Sequence, residues 1–120
     1  YNATKHAVVA ISEGLFMELA AKGSNVSCSV LCPGFVKTSL TTDIKWSDRL
    51  GAQPSEPTDP IGAMMNEMLK AGVEGGIPAS DVADQVHDAI VENRFWILTH
   101  PDFRQAPVER MQRAAAQQNP

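Results

Sequence analysis

The sequence has 120 residues, of which 43% are hydrophobic and 20% are charged. This composition is typical of one folded globular domain and excludes a disordered chain. Ten Lys and Arg against fourteen Asp and Glu give a net charge of −4, so nucleic acid and anionic membrane surfaces are not expected as partners. No apolar run approaches the ~18 residues of a membrane span, and no basic segment precedes an apolar run as in a signal peptide. We therefore expect a cytoplasmic protein.

The first 22 residues are mostly helix formers, and Gly23 predicts the end of a helix. One apolar stripe of this helix consists of Val8, Ile11, Leu15 and Leu19. A second, almost opposite stripe of mostly small residues consists of Ala3, Ala7, Ala10, Gly14, Met17 and Ala21. Two apolar faces predict a helix that is covered on both sides, and small residues let another helix approach closely. The second stripe therefore predicts the interface of a homodimer or homotetramer.

A short uncharged segment, Val26 to Cys32, is followed by Pro33 and Gly34. Such a run predicts a strand buried on both faces, as in a parallel sheet. Cys28 and Cys32 would lie roughly 13 Å apart along that strand at ~3.3 Å per residue, too far for a disulfide. We expect two reduced, buried thiols. The three histidines are scattered without metal-ligand spacing, so no metal site is predicted.

The segment from Ser39 to Pro57 has no sustained apolar period and predicts a long irregular loop that acts as a mobile lid. After it we expect a methionine-rich helix from Ile61 to Ala71, which Thr58-Asp59-Pro60 caps and Gly72 ends. A turn at Gly75 to Pro78 leads to a helix that Ser80 caps and that runs to Glu92, with Asn93 marking its end; its inner residues are Val82, Val86, Ala89 and Ile90. A strand from Phe95 to Thr99 and a helix from Pro107 to Ala116 complete the predicted elements.

This order of helices and strands predicts an α/β fold, the carboxy-terminal portion of a Rossmann-like doubly wound parallel sheet with helices on both faces. Two strands by themselves do not make a stable sheet. The helical pattern is also already under way at Tyr1. We therefore expect these residues to be one half of a single domain, with further chain upstream.

Tyr1 and Lys5 are four residues apart, which places a phenol and an ammonium one helical turn apart on one face. A neighbouring cation favours the phenolate form of a tyrosine, which suits proton exchange with a substrate oxygen. The same spacing also fits a tyrosine that is half buried beside a solvated lysine. The pair by itself leaves both interpretations open.

The surrounding residues add a second motif. Tyr1-x-x-x-Lys5 opens a helix, and the next strand ends in Pro33-Gly34-Phe35-Val36-Lys37-Thr38. In this combination the sequence resembles the classical short-chain dehydrogenase/reductase family, which has a Tyr-x-x-x-Lys helix followed by a strand and a Pro-Gly-x-Val-x-Thr segment over the nicotinamide. The resemblance covers essentially the whole chain as the carboxy-terminal half of the family domain. It implies a Rossmann fold, NAD or NADP as cofactor, and hydride transfer with an alcohol or carbonyl substrate.

The resemblance also implies roles for individual residues. Tyr1 would be the general acid/base, and Lys5 would bind the nicotinamide ribose and support Tyr1. The residues beside the nicotinamide, its carboxamide or the nearby phosphates would be Pro33, Gly34, Val36 and Thr38. The apolar residues expected at the substrate pocket are Phe35, Leu40, Ile44, Trp46, Met64, Met65 and Met68, which suit a bulky apolar alcohol or carbonyl. Methionines at helical spacing equally fit a core.

Two other interpretations are compatible with the sequence. The family's glycine-rich phosphate loop, Asn-Asn-Ala-Gly segment and catalytic serine precede the tyrosine helix and are not among these residues, so these residues alone are expected to be inactive. A catalytically silent relative that serves as a dimerisation or scaffold domain is one alternative. A sugar-nucleotide epimerase of the extended family shares Tyr-x-x-x-Lys but usually lacks the Pro-Gly-x-Val-x-Thr ending.

Overall fold

The computed structural model describes residues 1–39 and 59–119. The predicted lid runs from Ser39 to Pro57, and all of it after Ser39, with Leu40, Ile44 and Trp46, lies outside these described residues. In chain order the described elements are α1 (Asn2–Ala21), β1 (Val30–Cys32), β2 (Val36–Lys37), α2 (Pro60–Glu74), β3 (Ile77–Pro78), α3 (Ala79–Val91), β4 (Trp96–Leu98), a 3-10 turn (Pro101–Phe103) and α4 (Gln105–Ala115). Helices and parallel strands confirm the α/β class. None of the helices in the described ranges is long and apolar enough to cross a membrane.

The chain divides into two compact units. The first comprises Tyr1–Gly34 and Ala83–Pro120, and the second comprises Phe35–Val82. In the first unit, β1 pairs in parallel with β4 in the register Leu31 opposite Ile97. This pairing confirms the predicted parallel sheet. Parallel strands need a long crossover connection, which here is the chain between β1 and β4. Both strands are shorter than the sequence predicted.

Strand β1 is buried on one face instead of two. Val30 is buried, whereas Leu31 is 41% exposed and Cys32 is half-buried. The buried residues of the first unit are Val30, Ala89, Ile97 and Thr99. Neither cysteine forms a disulfide, and both are half-buried instead of buried as predicted. The core of this unit therefore lies between β1, β4 and α3.

Helix α1 packs through a different face from the one that the sequence predicted. Its half-buried residues are Val9, Ser12, Phe16 and Leu19, and the Phe16 ring lies 4.9 Å from the ring of Phe95, just before β4. Val8, Ile11 and Leu15 are exposed, and the helix has no fully buried residue. The helix is apolar around most of its circumference, so its period did not determine which stripe meets the sheet. The aromatic partner at residue 95 does.

Three helix boundaries follow their local signals. Helix α1 ends at Ala21, and Gly23, with a φ of +61°, follows its C-cap; the Ser24 N–H donates to the Leu19 carbonyl at 3.0 Å. Asp59 caps α2 by accepting a hydrogen bond from the Gly62 N–H at 2.7 Å. Asn93, with a φ of +53°, follows α3. These predictions are confirmed.

Three other boundaries were predicted wrongly. Helix α2 continues through Gly72 to Glu74, because a helix tolerates an internal glycine where another group needs the space. Helix α3 begins at Ala79, so Ser80 lies inside it and donates to the Asp81 carboxylate instead of capping. Helix α4 begins at Gln105, because the 3-10 turn already reverses the chain before Pro107.

The second unit contains a pairing that the sequence did not predict. Residues Val36 and Lys37 of β2 pair in parallel with Ile77 and Pro78 of β3, where a turn was expected. The close approach depends on Gly76, since a β-carbon there would stand 2.6 Å from the carbonyl oxygen of Phe35.

In the part of α3 that belongs to the first unit, Ile90 is exposed although it was predicted to face inward.

Candidate active site

Tyr1 and Lys5 lie on successive turns at the start of α1, as their spacing predicts. Tyr1 is the residue before the first helical turn, and its carbonyl accepts hydrogen bonds from the Lys5 N–H at 3.0 Å and the Thr4 hydroxyl at 2.6 Å. The Lys5 ammonium nitrogen lies 5.2 Å from the centroid of the Tyr1 ring, within the range of a cation–π contact. Tyr1 is 85% exposed within these 120 residues.

The turn that carries Tyr1 and Lys5 is also linked to the last helix. His6 Nδ1 bonds the Asn2 carbonyl at 3.0 Å, and His6 Nε2 lies 2.9 Å from Arg110 Nη1 in α4. A carbonyl only accepts, so Nδ1 carries the hydrogen and Nε2 accepts from Arg110. Sequence reasoning missed Arg110, because no local pattern connects residues 104 positions apart.

Pro33 and Gly34 directly follow β1 at its carboxyl end, the edge at which open α/β sheets bind ligands. The Gly34 N–H donates to the Thr99 hydroxyl at 3.1 Å. A β-carbon on Gly34 would stand 2.6 Å from His100 Nδ1 and 2.8 Å from Phe103 Cε2. The packing of two side chains from beyond β4 therefore requires glycine here, whether or not a ligand approaches.

A cavity of about 180 Å³ adjoins this corner of the first unit, and Cys32, Gly34, His100 and Phe103 are among its lining residues. Burial raises the pKa of the Cys32 thiol. An open hollow of about 710 Å³ in the same unit is lined by residues such as Cys28, Leu31 and Ile97 and contains none of the predicted site residues.

The other predicted site residues belong to the second unit. Val36 is half-buried in β2, and Thr38 is exposed just after it. The ring of Phe35 lies against Gly72 of α2. Met64, Met65 and Met68 share an exposed face of α2 with Ile61, so these methionines do not form the core of this unit. Leu40 and Trp46 lie outside the described residues.

Two comparisons with known proteins point to the same family. The model of the short chain dehydrogenase family matches residues 1–48, the stretch that contains Tyr1, Lys5 and the Pro33-Gly34 corner. A crystal structure of a short-chain dehydrogenase/reductase from Burkholderia phymatum in complex with NAD superposes on the whole chain with a TM-score of 0.80 at 36% sequence identity. These matches support a member of the short-chain dehydrogenase/reductase family.

Family relatives of known name agree with this assignment. A CLA biosynthesis dehydrogenase/reductase of Lactiplantibacillus plantarum is 33% identical over 118 residues, which cover 94% of this chain and 40% of the relative. The 1-deoxy-11-beta-hydroxypentalenate dehydrogenase of Streptomyces exfoliatus is 32% identical over 104 residues, 87% of this chain and 30% of the relative. The chain also covers 43% of the Burkholderia structure. It therefore spans less than half the length of the short-chain dehydrogenases that it matches.

Proposed function

We propose that the protein containing this chain is an NAD- or NADP-dependent oxidoreductase that interconverts an alcohol and a carbonyl compound. The observation that carries the proposal is the placement of the Lys5 ammonium 5.2 Å from the ring of an exposed Tyr1. The family uses these cofactors, and the Burkholderia relative was solved with NAD. Residues 1–120 would form the carboxy-terminal half of one Rossmann domain, and the phosphate-binding half would precede them.

The residues present fit a nicotinamide cofactor by their chemistry. An ammonium at Lys5 can donate to ribose hydroxyls, and the exposed Pro33 offers a flat apolar surface at the carboxyl end of β1. Val36 and Thr38 would contact the carboxamide or the nearby phosphates. When bound, the cofactor supplies the acceptor or donor of a hydride.

Tyr1 would handle the proton that accompanies each hydride. In the oxidative direction, the phenolate oxygen of Tyr1 accepts the hydroxyl proton of the alcohol while the carbon–hydrogen bond breaks. In the reductive direction, the phenol returns a proton to the carbonyl oxygen.

We further propose that the substrate is bulky and apolar. The exposed methionine face of α2, Met64, Met65 and Met68, supports this proposal, because unbranched thioether side chains adapt to irregular apolar molecules. Phe35, Leu40 and Trp46 would complete the pocket. The cytoplasmic location remains a prediction from the sequence.

An assay of the full-length protein tests the proposed function. The protein is mixed with NAD or NADP and a panel of secondary alcohols that ranges from apolar sterol-like and fatty compounds to polyols, and absorbance of the reduced nicotinamide is recorded. We expect turnover with apolar members and its loss in Tyr1→Phe. A protein that binds neither NAD nor NADP and turns over no member would instead support the silent scaffold, which predicts a disrupted upstream phosphate loop.

A further inference from the structure

Thr99 is the one polar residue that the described part of the chain buries, with 6% of its surface exposed. It follows the last paired residue of β4, Leu98. Its hydroxyl oxygen accepts the Gly34 N–H at 3.1 Å and lies 2.7 Å from His100 Nδ1. A buried hydroxyl with two short polar contacts is held in one orientation.

The hydrogen-bonding capacities of these groups fix the direction of the first contact. The Gly34 N–H can only donate, so the Thr99 oxygen accepts from it. The Thr99 hydroxyl either donates to His100 Nδ1 or accepts from it, according to the imidazole tautomer. Gly34, Thr99 and His100 thus form a chain of two hydrogen bonds from the main chain after β1 to the imidazole after β4.

The same imidazole supports Gly34 by packing. The rings of His100 and Phe103 are stacked, with centroids 5.2 Å apart and planes inclined by 9°. Their atoms occupy the position that a β-carbon of Gly34 would take. The stack therefore leaves no room for a side chain at Gly34.

This arrangement replaces pairing that the strand itself cannot supply. The last β1–β4 pair is Cys32 with Leu98, and Pro33 has no N–H with which to continue the ladder. The Thr99 hydroxyl provides the next link between the two strands by bonding Gly34. This hydrogen bond adds to the packing of His100 and Phe103 against Gly34.

We propose that Thr99 is a positioning residue for the cofactor: it acts through Gly34, with His100, to hold the Pro33–Gly34 corner in the orientation that receives the nicotinamide. The proposal rests on the proposed function, because it assumes that this corner meets the nicotinamide. It predicts that removal of the Thr99 hydroxyl weakens recognition of the nicotinamide end of the cofactor and leaves recognition of the adenosine end unchanged.

The experiment uses the full-length protein and two probes, NADH and ADP-ribose, which lacks the nicotinamide. Thr99→Val keeps the shape of the side chain and removes the hydroxyl, whereas Thr99→Ser keeps the hydroxyl. His100→Phe keeps an aromatic ring beside Phe103 but removes the Nδ1 atom that contacts Thr99. The loss of one hydrogen bond predicts roughly fivefold weaker NADH binding in Thr99→Val. NADH binding close to that of the parent is expected in Thr99→Ser, and a smaller loss is expected in His100→Phe. ADP-ribose binding should be unchanged in all three.

A second readout needs no cofactor. Hydrogen–deuterium exchange of a peptide covering residues 32–36 should be faster in Thr99→Val than in Thr99→Ser, because the Gly34 N–H has lost its acceptor. Ser29→Ala is the matched control. The Ser29 hydroxyl, just before β1, donates to the Arg94 carbonyl at 2.8 Å, so this variant also removes one side-chain hydrogen bond, but at the opposite end of the β1–β4 pair. It should change neither NADH binding nor exchange at residues 32–36.

The outcomes separate this proposal from the proposed function. If the parent binds NADH and Thr99→Val binds it equally well, the positioning role is wrong and the oxidoreductase proposal stands. An equal loss of NADH and ADP-ribose affinity would reveal a general structural role and also overturn the proposal. If the parent binds neither NADH nor NADPH, the cofactor assignment fails and the positioning role fails with it. Should Thr99→Val not fold, unchanged NADH binding in His100→Phe would contradict the coupling.

Discussion

The ring of Phe35 lies so close to Gly72 that a β-carbon at residue 72 would stand 2.7 Å from Phe35 Cε1 and 2.8 Å from Cζ. Gly72 lies within α2, at a position where the sequence had predicted the end of the helix. The helix therefore keeps a poor helix former because an aromatic side chain that precedes β2 packs directly on its backbone. This contact assigns a packing role to the Phe35 ring within the second unit, beside its proposed place in the substrate pocket.

Gly72→Ala should destabilise the protein despite the better helix propensity of alanine. The propensity gain is about 1 kcal/mol, whereas overpacking of a close contact typically costs ~1–3 kcal/mol. We expect a net loss of about 1 kcal/mol in the free energy of unfolding, measured by urea denaturation. In a Phe35→Leu background the ring is gone, and the same substitution should become neutral or stabilising. A stabilising Gly72→Ala in the parent would contradict the contact.

Tyr1→Phe should lower kcat by at least the ~100-fold that loss of a general acid/base typically costs. The ring and its contact with Lys5 are kept, so cofactor affinity, measured by NADH fluorescence, should change little. His87→Phe is a suitable control, because His87 is an exposed residue of α3 that contacts the Asp88 carboxylate. Near-normal turnover in Tyr1→Phe would exclude Tyr1 as the proton-transfer group.

Gly14→Leu should dissociate the proposed homodimer or homotetramer. The small-residue face of α1, formed by Ala3, Ala7, Ala10, Gly14 and Met17, is exposed in the described chain. Nothing lies within 4 Å of a β-carbon placed on Gly14, so the leucine does not clash within the subunit. Across a close helix pair it would cost ~1–3 kcal/mol by overpacking. Light scattering should report a smaller mass for Gly14→Leu and the parental mass for Gly14→Ala; equal masses would place the interface elsewhere.

The Cys32 thiol should react slowly with iodoacetamide near neutral pH. Burial raises its pKa, so the reactive thiolate forms at a higher pH than in a free cysteine, whose pKa is ~8.5. The folded state also retains this proton more strongly than the unfolded state. The contribution of this protonation to the free energy of unfolding is therefore fully present below the pKa of Cys32 in the unfolded state. It is lost as the pH rises through the pKa of Cys32 in the folded state. Mass spectrometry from about pH 7.5 to about pH 10 should show that Cys32 is labelled more slowly than the cysteine of a free peptide. In a separate measurement, Cys32→Ser should remove this contribution to the pH dependence of the free energy of unfolding.

The local features of this fold were predictable from the sequence. Asp59 before a proline, Gly23 after a run of helix formers and Asn93 after α3 each act on the backbone within a few residues. The apolar segments separated by helices likewise predicted parallel pairing of β1 with β4. The family followed from two motifs, Tyr1-x-x-x-Lys5 and Pro33-Gly34-x-Val36-x-Thr38, whose residue types and spacing are themselves local.

Long-range packing decided the rest. The sequence by itself determined where α1 ends and that Tyr1 and Lys5 share a face, since helix geometry fixes both. Only the tertiary structure decided which stripe of α1 meets the sheet, because Phe95, far along the chain, pairs with Phe16. It also decided that Gly34 must be glycine and that Thr99 anchors it, because both depend on contacts across 65 residues of chain. Such contacts depend on how the shapes of distant side chains fit together in three dimensions. A period or a motif along the sequence does not predict this fit.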